Sequence, residues 1–190
     1  MPMPIELHKT EIPDVVEVQV RKARDGRGFF SELYNRDVWR EAGLDPVFVQ
    51  DNLSLSRRGT LRGMHYQIEP HAMGKLVHAI TGAVFDVAID LRRGAPTYGR
   101  WVGRELRPAN GRWLWIPPGF AHGFLALEDD TRVYYKCTAT HHPESERAIA
   151  YNDPEVGVEW PIEPTVVTEK DAAAPAFAEA EHNFSWTGGA

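Results

Sequence analysis

Through the middle of the chain, apolar and polar residues alternate with the period of two that a half-buried strand requires. On that pattern strands are expected at Val47–Leu53, Leu61–Gln67, Lys75–Ile80, Ala83–Leu91, Trp101–Leu106, Trp113–Ile116, Gly123–Leu127, Arg132–Thr138 and Ala148–Asn152. Turn chemistry separates them at Thr81-Gly82, Arg93-Gly94-Ala95-Pro96, Asn110-Gly111, Pro117-Pro118-Gly119 and Glu128-Asp129-Asp130. Short strands at this spacing predict an all-β sandwich or barrel, not βαβ units. Upstream, residues 5–20 alternate between prolines as a short strand pair or an arm, and Asp25-Gly26 and Gly28 mark a turn before Phe29-Phe30. A short surface helix is expected from Asn35 as N-cap, through Val38, Trp39 and Ala42, to Gly43 as its stop. A second helical stretch, near Thr168–Ala174, interrupts the proline-rich segment after Asn152. The expectation is one domain over 1–190: an N-terminal arm to about residue 45, a barrel from about 46 to 152, and a C-terminal segment 153–190 with loose last residues.

Composition sharpens this picture in three ways. With 43% hydrophobic and 25% charged residues, the chain is an ordinary soluble type. A net charge of −6 argues against general affinity for nucleic acid or an anionic membrane, yet leaves room for a small anion at a local basic cluster. Cys137 is the one cysteine, so no intrachain disulfide forms. Met1–Lys9 has no signal-peptide pattern and no apolar run reaches transmembrane length, so a cytoplasmic location is expected.

The candidate chemistry concentrates in Leu61-Arg62-Gly63-Met64-His65-Tyr66-Gln67 and Gly74-Lys75-Leu76-Val77. Strict period two puts Arg62 and His65 on opposite faces of a strand. A bulge at Gly63 slips the register and points both into one cavity. The plainer reading is a solvated Arg62 and a hydrogen-bonded core histidine.

Gly111-Arg-Trp-Leu-Trp-Ile-Pro117-Pro-Gly119-Phe-Ala-His122 fits the second cupin motif, G-x5-P-x-G-x2-H, which aims a histidine into a small jelly-roll barrel. The motif's terminal Asn is replaced by Ala126, and the His-x-His of the first motif reads His65-Tyr66-Gln67. A metal keeps only His65 and His122, too few for a first shell, so a metal-free and cofactor-free barrel is expected.

Taken with Phe85-Asp-Val-Ala-Ile-Asp, Trp115-Ile-Pro-Pro-Gly-Phe-Ala-His-Gly-Phe and Lys170-Asp-Ala-Ala-Ala-Pro, these motifs make the chain resemble the dTDP-4-dehydrorhamnose 3,5-epimerase family from about Arg27 to Pro175. The resemblance implies a cupin jelly roll, a homodimer with exchanged N-terminal strands, and inversion at carbons 3 and 5 of a dTDP-linked 6-deoxy-4-ketohexose. It implies His65 as base paired with Asp171, Tyr135 as acid, and Lys75 beside the ketone oxygen. It further implies Arg27, Glu32, Gln50, Asn52, Arg62, Lys75, His122, Glu146 and Lys170 as nucleotide or sugar contacts.

The chemistry asks for such groups in any case. Both carbons lie α to a ketone, so epimerisation through an enolate needs a base, an acid on the opposite face and an oxyanion donor. Rival roles stand beside these. Thr168-Glu-Lys-Asp171 also reads as a capping box. Tyr134 competes with Tyr135, although period two groups Tyr135 with Val133 and Cys137 on the interior face. Lys75 also reads as a solvated strand-end charge, and His122 with Asp86 as a structural pair. The same residues fit an epimerase of carbon 3 or carbon 5 alone, whereas a metal-dependent cupin lacks its ligands and a non-catalytic binder has no need of His65, Tyr135 and Asp171.

Overall fold

The computed structural model describes residues 4–188, so the looseness expected of Gly189 and Ala190 falls outside the described residues. The strands are β1 (Ile5–Lys9), β2 (Val16–Val20), β3 (Ala23–Asp25), β4 (Gly28–Phe30), β5 (Gln50–Ser56), β6 (Leu61–Gln67) and β7 (Lys75–Thr81). They continue with β8 (Val84–Asp90), β9 (Trp101–Leu106), β10 (Arg112–Ile116), β11 (Phe120–Ala126), β12 (Thr131–Cys137) and β13 (Glu146–Ala148). Two short helices, α1 (Arg36–Glu41) and α2 (Glu169–Ala172), complete the element list with two 3-10 turns. One sheet runs β1-β2-β10-β7-β12-β5, the other β13-β6-β11-β8-β9, and β3-β4 is a separate hairpin. This is the all-β cupin-type jelly roll, with a few short helices, that the motif spacing predicted.

Alternation along the strands sorts side chains into three apolar layers. Val77, Ala79, Leu114, Ile116 and Val133 of the first sheet meet Val84, Ala88, Val102, Phe120 and Phe124 of the second inside the barrel. The outer face of the first sheet packs Val18, Leu76, Trp113 and Trp115 against Trp39 of α1. The outer face of the second presents Met64, Tyr66, Val87 and Ile89 to the C-terminal segment, which contributes Val156, Phe177 and Phe184. Burying a side chain of that size contributes about 1.5–3 kcal/mol, which is what holds the C-terminal segment on the barrel wall.

Several element ends differ from expectation. The strand expected at Val47–Leu53 starts and ends three residues later, because Ser54, Leu55 and Ser56 continue the ladder with β12 as far as Ser56↔Thr131. The strand expected at Ala148–Asn152 is Glu146–Ala148 instead, since buried Asp153 accepts the N–H groups of Glu155, Val156 and Phe177 and turns the chain. β11 starts at Phe120, three residues before the expected Gly123, so His122 lies inside a strand. The turn before Phe29-Phe30 is a hairpin. The helix at Asn35 forms as expected, with the Asn35 side chain accepting from the N–H groups of Asp37 and Val38, but its Trp39 is buried. Among the described residues no helix is long and apolar enough to cross a membrane.

Candidate active site

The cavity begins at Gly63. Its φ of +141° is one that side-chain-bearing residues rarely adopt, and a Cβ there would lie 2.5 Å from Gly123 Cα on the neighbouring strand. Two glycines thus let β6 and β11 approach closely, and the register shifts between His122↔His65 and Phe124↔Arg62. The bulge expected at Gly63 is this irregularity. It brings Arg62 and His65 to one cavity, while Met64 and Tyr66 turn outward under the C-terminal segment.

His65 Nε2 lies 2.7 Å from Asp171 Oδ1 across 106 residues of sequence. Asp171 is buried, and its other oxygen accepts the Gly63 N–H at 3.5 Å. An ionised carboxylate can only accept, so Nε2 carries the proton and Nδ1 keeps a free lone pair. The cap reading holds as well, but for different atoms: the Thr168 hydroxyl accepts the Asp171 backbone N–H. The Asp171 carboxylate does not complete a capping box; it is turned to His65.

The opposite sheet supplies the facing groups. Lys75 opens β7 and Tyr135 lies on β12, two register positions apart along that ladder. Period two puts Val133, Tyr135 and Cys137 on the inner face, whereas Tyr134 packs edge-on against Trp113 outside the barrel. Burial pushes the Tyr135 phenol above its usual range, so it stays protonated at neutral pH. Burial pulls the Lys75 pKa down, partly countered by the negative charges of Asp86 and Glu146.

A second imidazole–carboxylate pair sits beside them. His122 Nε2 lies 2.8 Å from Asp86 Oδ1, and Lys75 Nζ lies 3.4 Å from His122 Nδ1. Asp86 is fully buried and its Oδ2 has no protein partner. With Nε2 donating to Asp86, Nδ1 is an acceptor for the ammonium. Burial lowers the His122 pKa, so the ring is neutral in this chain of contacts.

Two adjoining cavities, of about 330 and 280 Å³, share His65, Lys75 and Tyr135, which therefore stand at the neck between them. Gln50, Asn52 and Glu146 line the first; Arg62, His122, Lys170 and Asp171 line the second. Lys170 ion-pairs with Glu146 across the mouth. Arg62 donates to Ser56 Oγ and Leu55 O, and among the described residues no carboxylate pairs with it.

Arg27 and Glu32 are not in this cavity, contrary to a reading of one chain as the whole site. Arg27 stands at the tip of the β3-β4 hairpin, its side chain 91% exposed and paired with Asp25, and Glu32 is exposed just beyond. Sequence reasoning missed Ser54, Met73, Phe124 and His141, which also line the cavities. Only the His141-His142 doublet offered a signal.

A cupin barrel commonly invites a metal ion, and these residues do not fit one. The ammonium of Lys75 occupies the space beside His122, and Gln67, at the position of the missing ligand histidine, spends its amide on the carbonyls of His71 and Thr140 and the N–H of His142. Two imidazoles, each paired with a carboxylate and one of them facing an ammonium, make a poor donor set.

Known proteins share this sequence and fold. The profile of the family described as dTDP-4-dehydrorhamnose 3,5-epimerase matches residues 9–179. The dTDP-4-dehydrorhamnose 3,5-epimerase of Pseudomonas aeruginosa is 52% identical over 90% of this chain and 94% of its own length. The crystal structure of the Legionella pneumophila dTDP-6-deoxy-D-glucose-3,5-epimerase, in complex with dTDP-4-keto-L-rhamnose, superposes with a TM-score of 0.88 at 44% identity, covering 92% of this chain and 94% of that one. A 3'-monoepimerase from Streptomyces bikiniensis in complex with dTDP-quinovose gives a TM-score of 0.84 at 32% identity, over 90% and 87%. Fold and site define a sugar-nucleotide epimerase of the cupin class. The chain belongs to the dTDP-4-dehydrorhamnose 3,5-epimerase family.

Proposed function

We propose that the protein inverts carbons 3 and 5 of dTDP-4-dehydro-6-deoxy-D-glucose, giving dTDP-4-dehydro-L-rhamnose. One observation carries the reading: the imidazole of His65 and the phenol of Tyr135 come from opposite sheets and meet at the neck of the cavity. A sugar ring placed between them has a base at one face and an acid at the other. His65 Nδ1 takes the proton from a carbon next to the ketone, with Asp171 stabilising the imidazolium that forms. The electron pair moves onto the ketone oxygen, where Lys75 Nζ is the nearest cation. Tyr135 then gives its proton to the other face of the same carbon. Once His65 has released its proton to solvent and Tyr135 has taken one up, repeating the sequence at the second carbon inverts both.

The unpaired guanidinium of Arg62 in the second cavity suits one phosphate of the diphosphate, and Lys170 at the mouth suits the other. A homodimer completes the site. The β3-β4 hairpin exposes Phe29 and Phe30, and edge strand β5 exposes Leu53 and Leu55. A second copy covering these surfaces brings its Arg27 and Glu32 to this chain's cavity. Residues 1–190 then act as a single domain, with a cytoplasmic location where the sugar nucleotide is made.

The decisive experiment is NMR of dTDP-4-dehydro-6-deoxy-D-glucose with enzyme in D2O. Deuterium at both carbons and an L-configured product are expected. Exchange and inversion at a single carbon make the protein a mono-epimerase.

A further inference from the structure

Gln67 stands where a metal-binding cupin has its second motif histidine, and what it does here builds a different site. Its Nε2 donates to the carbonyls of His71 at 2.8 Å and Thr140 at 3.1 Å, and its Oε1 accepts the His142 N–H at 2.7 Å. One buried side chain therefore pins the loops before β7 and after β12 against each other. The pinned loops lay the His71 ring on the His142 ring, with centroids 3.6 Å apart and planes 13° from parallel. Glu144 Oε1 lies 3.1 Å from His142 Nδ1, while the Arg147 guanidinium is turned to Glu181 and to the Glu144 carbonyl.

We propose that His71, His142 and Glu144 form a binding site for a divalent transition ion of the zinc class on the rim of the cavity. One donor atom from each of the three lies within 4.8 Å of the others. Ligands on a tetrahedral ion with bonds of ~2.0–2.2 Å stand ~3.3 Å apart. Rotation of one imidazole about its Cβ–Cγ bond, with the exposed Glu144 following, closes that difference. Two imidazoles and a carboxylate are the donors that zinc, nickel and copper prefer, and three protein ligands leave a fourth position open. The loops need no reorganisation, because Gln67 holds them through backbone atoms that survive changes in the ligand side chains. The ion ties together two loops that carry Met73 and His141, both lining the first cavity.

The test is calorimetric titration of Zn2+ into EDTA-stripped wild-type protein, repeated with Co2+ for its visible absorption. One equivalent per chain is expected to bind. His71→Ala and His142→Ala should each weaken binding by roughly tenfold or more, while His141→Ala leaves it unchanged. All three ligand variants, Glu144→Gln included, should keep wild-type turnover when stripped of metal, so this result is separable from the epimerase reading. Absence of stoichiometric binding overturns the site, as does unchanged affinity in both alanine variants. Binding lost in His65→Ala instead places the ion in the barrel and equally overturns it.

Discussion

The barrel holds two histidine–aspartate pairs of nearly equal length, 2.7 Å for His65–Asp171 and 2.8 Å for His122–Asp86, and they are built for different work. The first joins a strand to a helix from the far end of the chain. Its imidazole side chain remains 29% exposed toward the cavity, with one nitrogen free. The second joins neighbouring strands β11 and β8 and is buried at the cavity wall, its imidazole side chain 6% exposed. Its free nitrogen faces Lys75. An imidazole open to substrate and oriented by a carboxylate can exchange protons with it. A buried one, with its remaining nitrogen on Lys75, links Asp86 to the ammonium beside it. Pair geometry alone does not assign a role; what the remaining nitrogen faces does.

Removing the proposed base should have the largest effect. His65→Ala is expected to lose about 10²–10⁴-fold in rate, with deuterium exchange falling at both carbons together. Asp171→Asn should slow both steps too, yet unfold close to the wild-type temperature, because the Thr168 cap uses a backbone N–H that Asn retains. An equal loss of exchange in His122→Ala would erase the distinction between the pairs.

Lys75→Met sharpens the contrast from the other side. Loss of one oxyanion donor typically costs about 10²–10³ in kcat, but stability should rise. Burial lowers the folded-state pKa of Lys75, so the folded protein holds that proton more weakly than the unfolded chain. The penalty is full below the folded pKa and fades as pH climbs from there to the unfolded value. The variant should therefore unfold at a higher temperature than wild type below the folded-state pKa, and the gain should shrink as pH climbs toward the unfolded value.

Tyr135→Phe leaves His65 free to enolise the substrate, so exchange in D2O should persist while inversion nearly stops. Tyr134→Phe, outside the barrel, should behave as wild type. The reverse outcome would mean that β12 presents its other face to the cavity.

Asp86→Asn should have the smallest effect on neutral-pH turnover, and its signature is a pH profile. The Asp86 charge raises the Lys75 pKa against burial, so its loss should move the basic limb of kcat/KM to lower pH. A limb that stays in place would make Asp86 purely structural.

Much of this was legible in the chain. Alternation placed the inner face of β12 and separated Tyr135 from Tyr134, and an interior glycine flagged the bulge that turns Arg62 inward. Strand ends were less legible: Val47 and Val49 continue the apolar pattern where the chain has left the sheet and stands exposed. The His65–Asp171 contact leaves no local trace, since nothing periodic connects residues that far apart, and only the family resemblance named it. Arg27 and Glu32 were expected as nucleotide or sugar contacts only through that resemblance, and they stand outside this chain's cavity. His141 was missed because a loop residue belongs to no period.

The span between His65 and Asp171 also sets an order of events during synthesis. A ribosome delivers His65 106 residues before the Asp171 carboxylate it pairs with. Until the last helix docks, the nascent barrel has an imidazole in its cavity with no fixed tautomer. Phe177 and Phe184, which clamp the C-terminal segment over Met64 and Tyr66, emerge later still. Catalytic competence is therefore among the final properties this chain acquires, and a translation product truncated before α2 should be inert, with Met64 and Tyr66 left without their Phe177 and Phe184 cover.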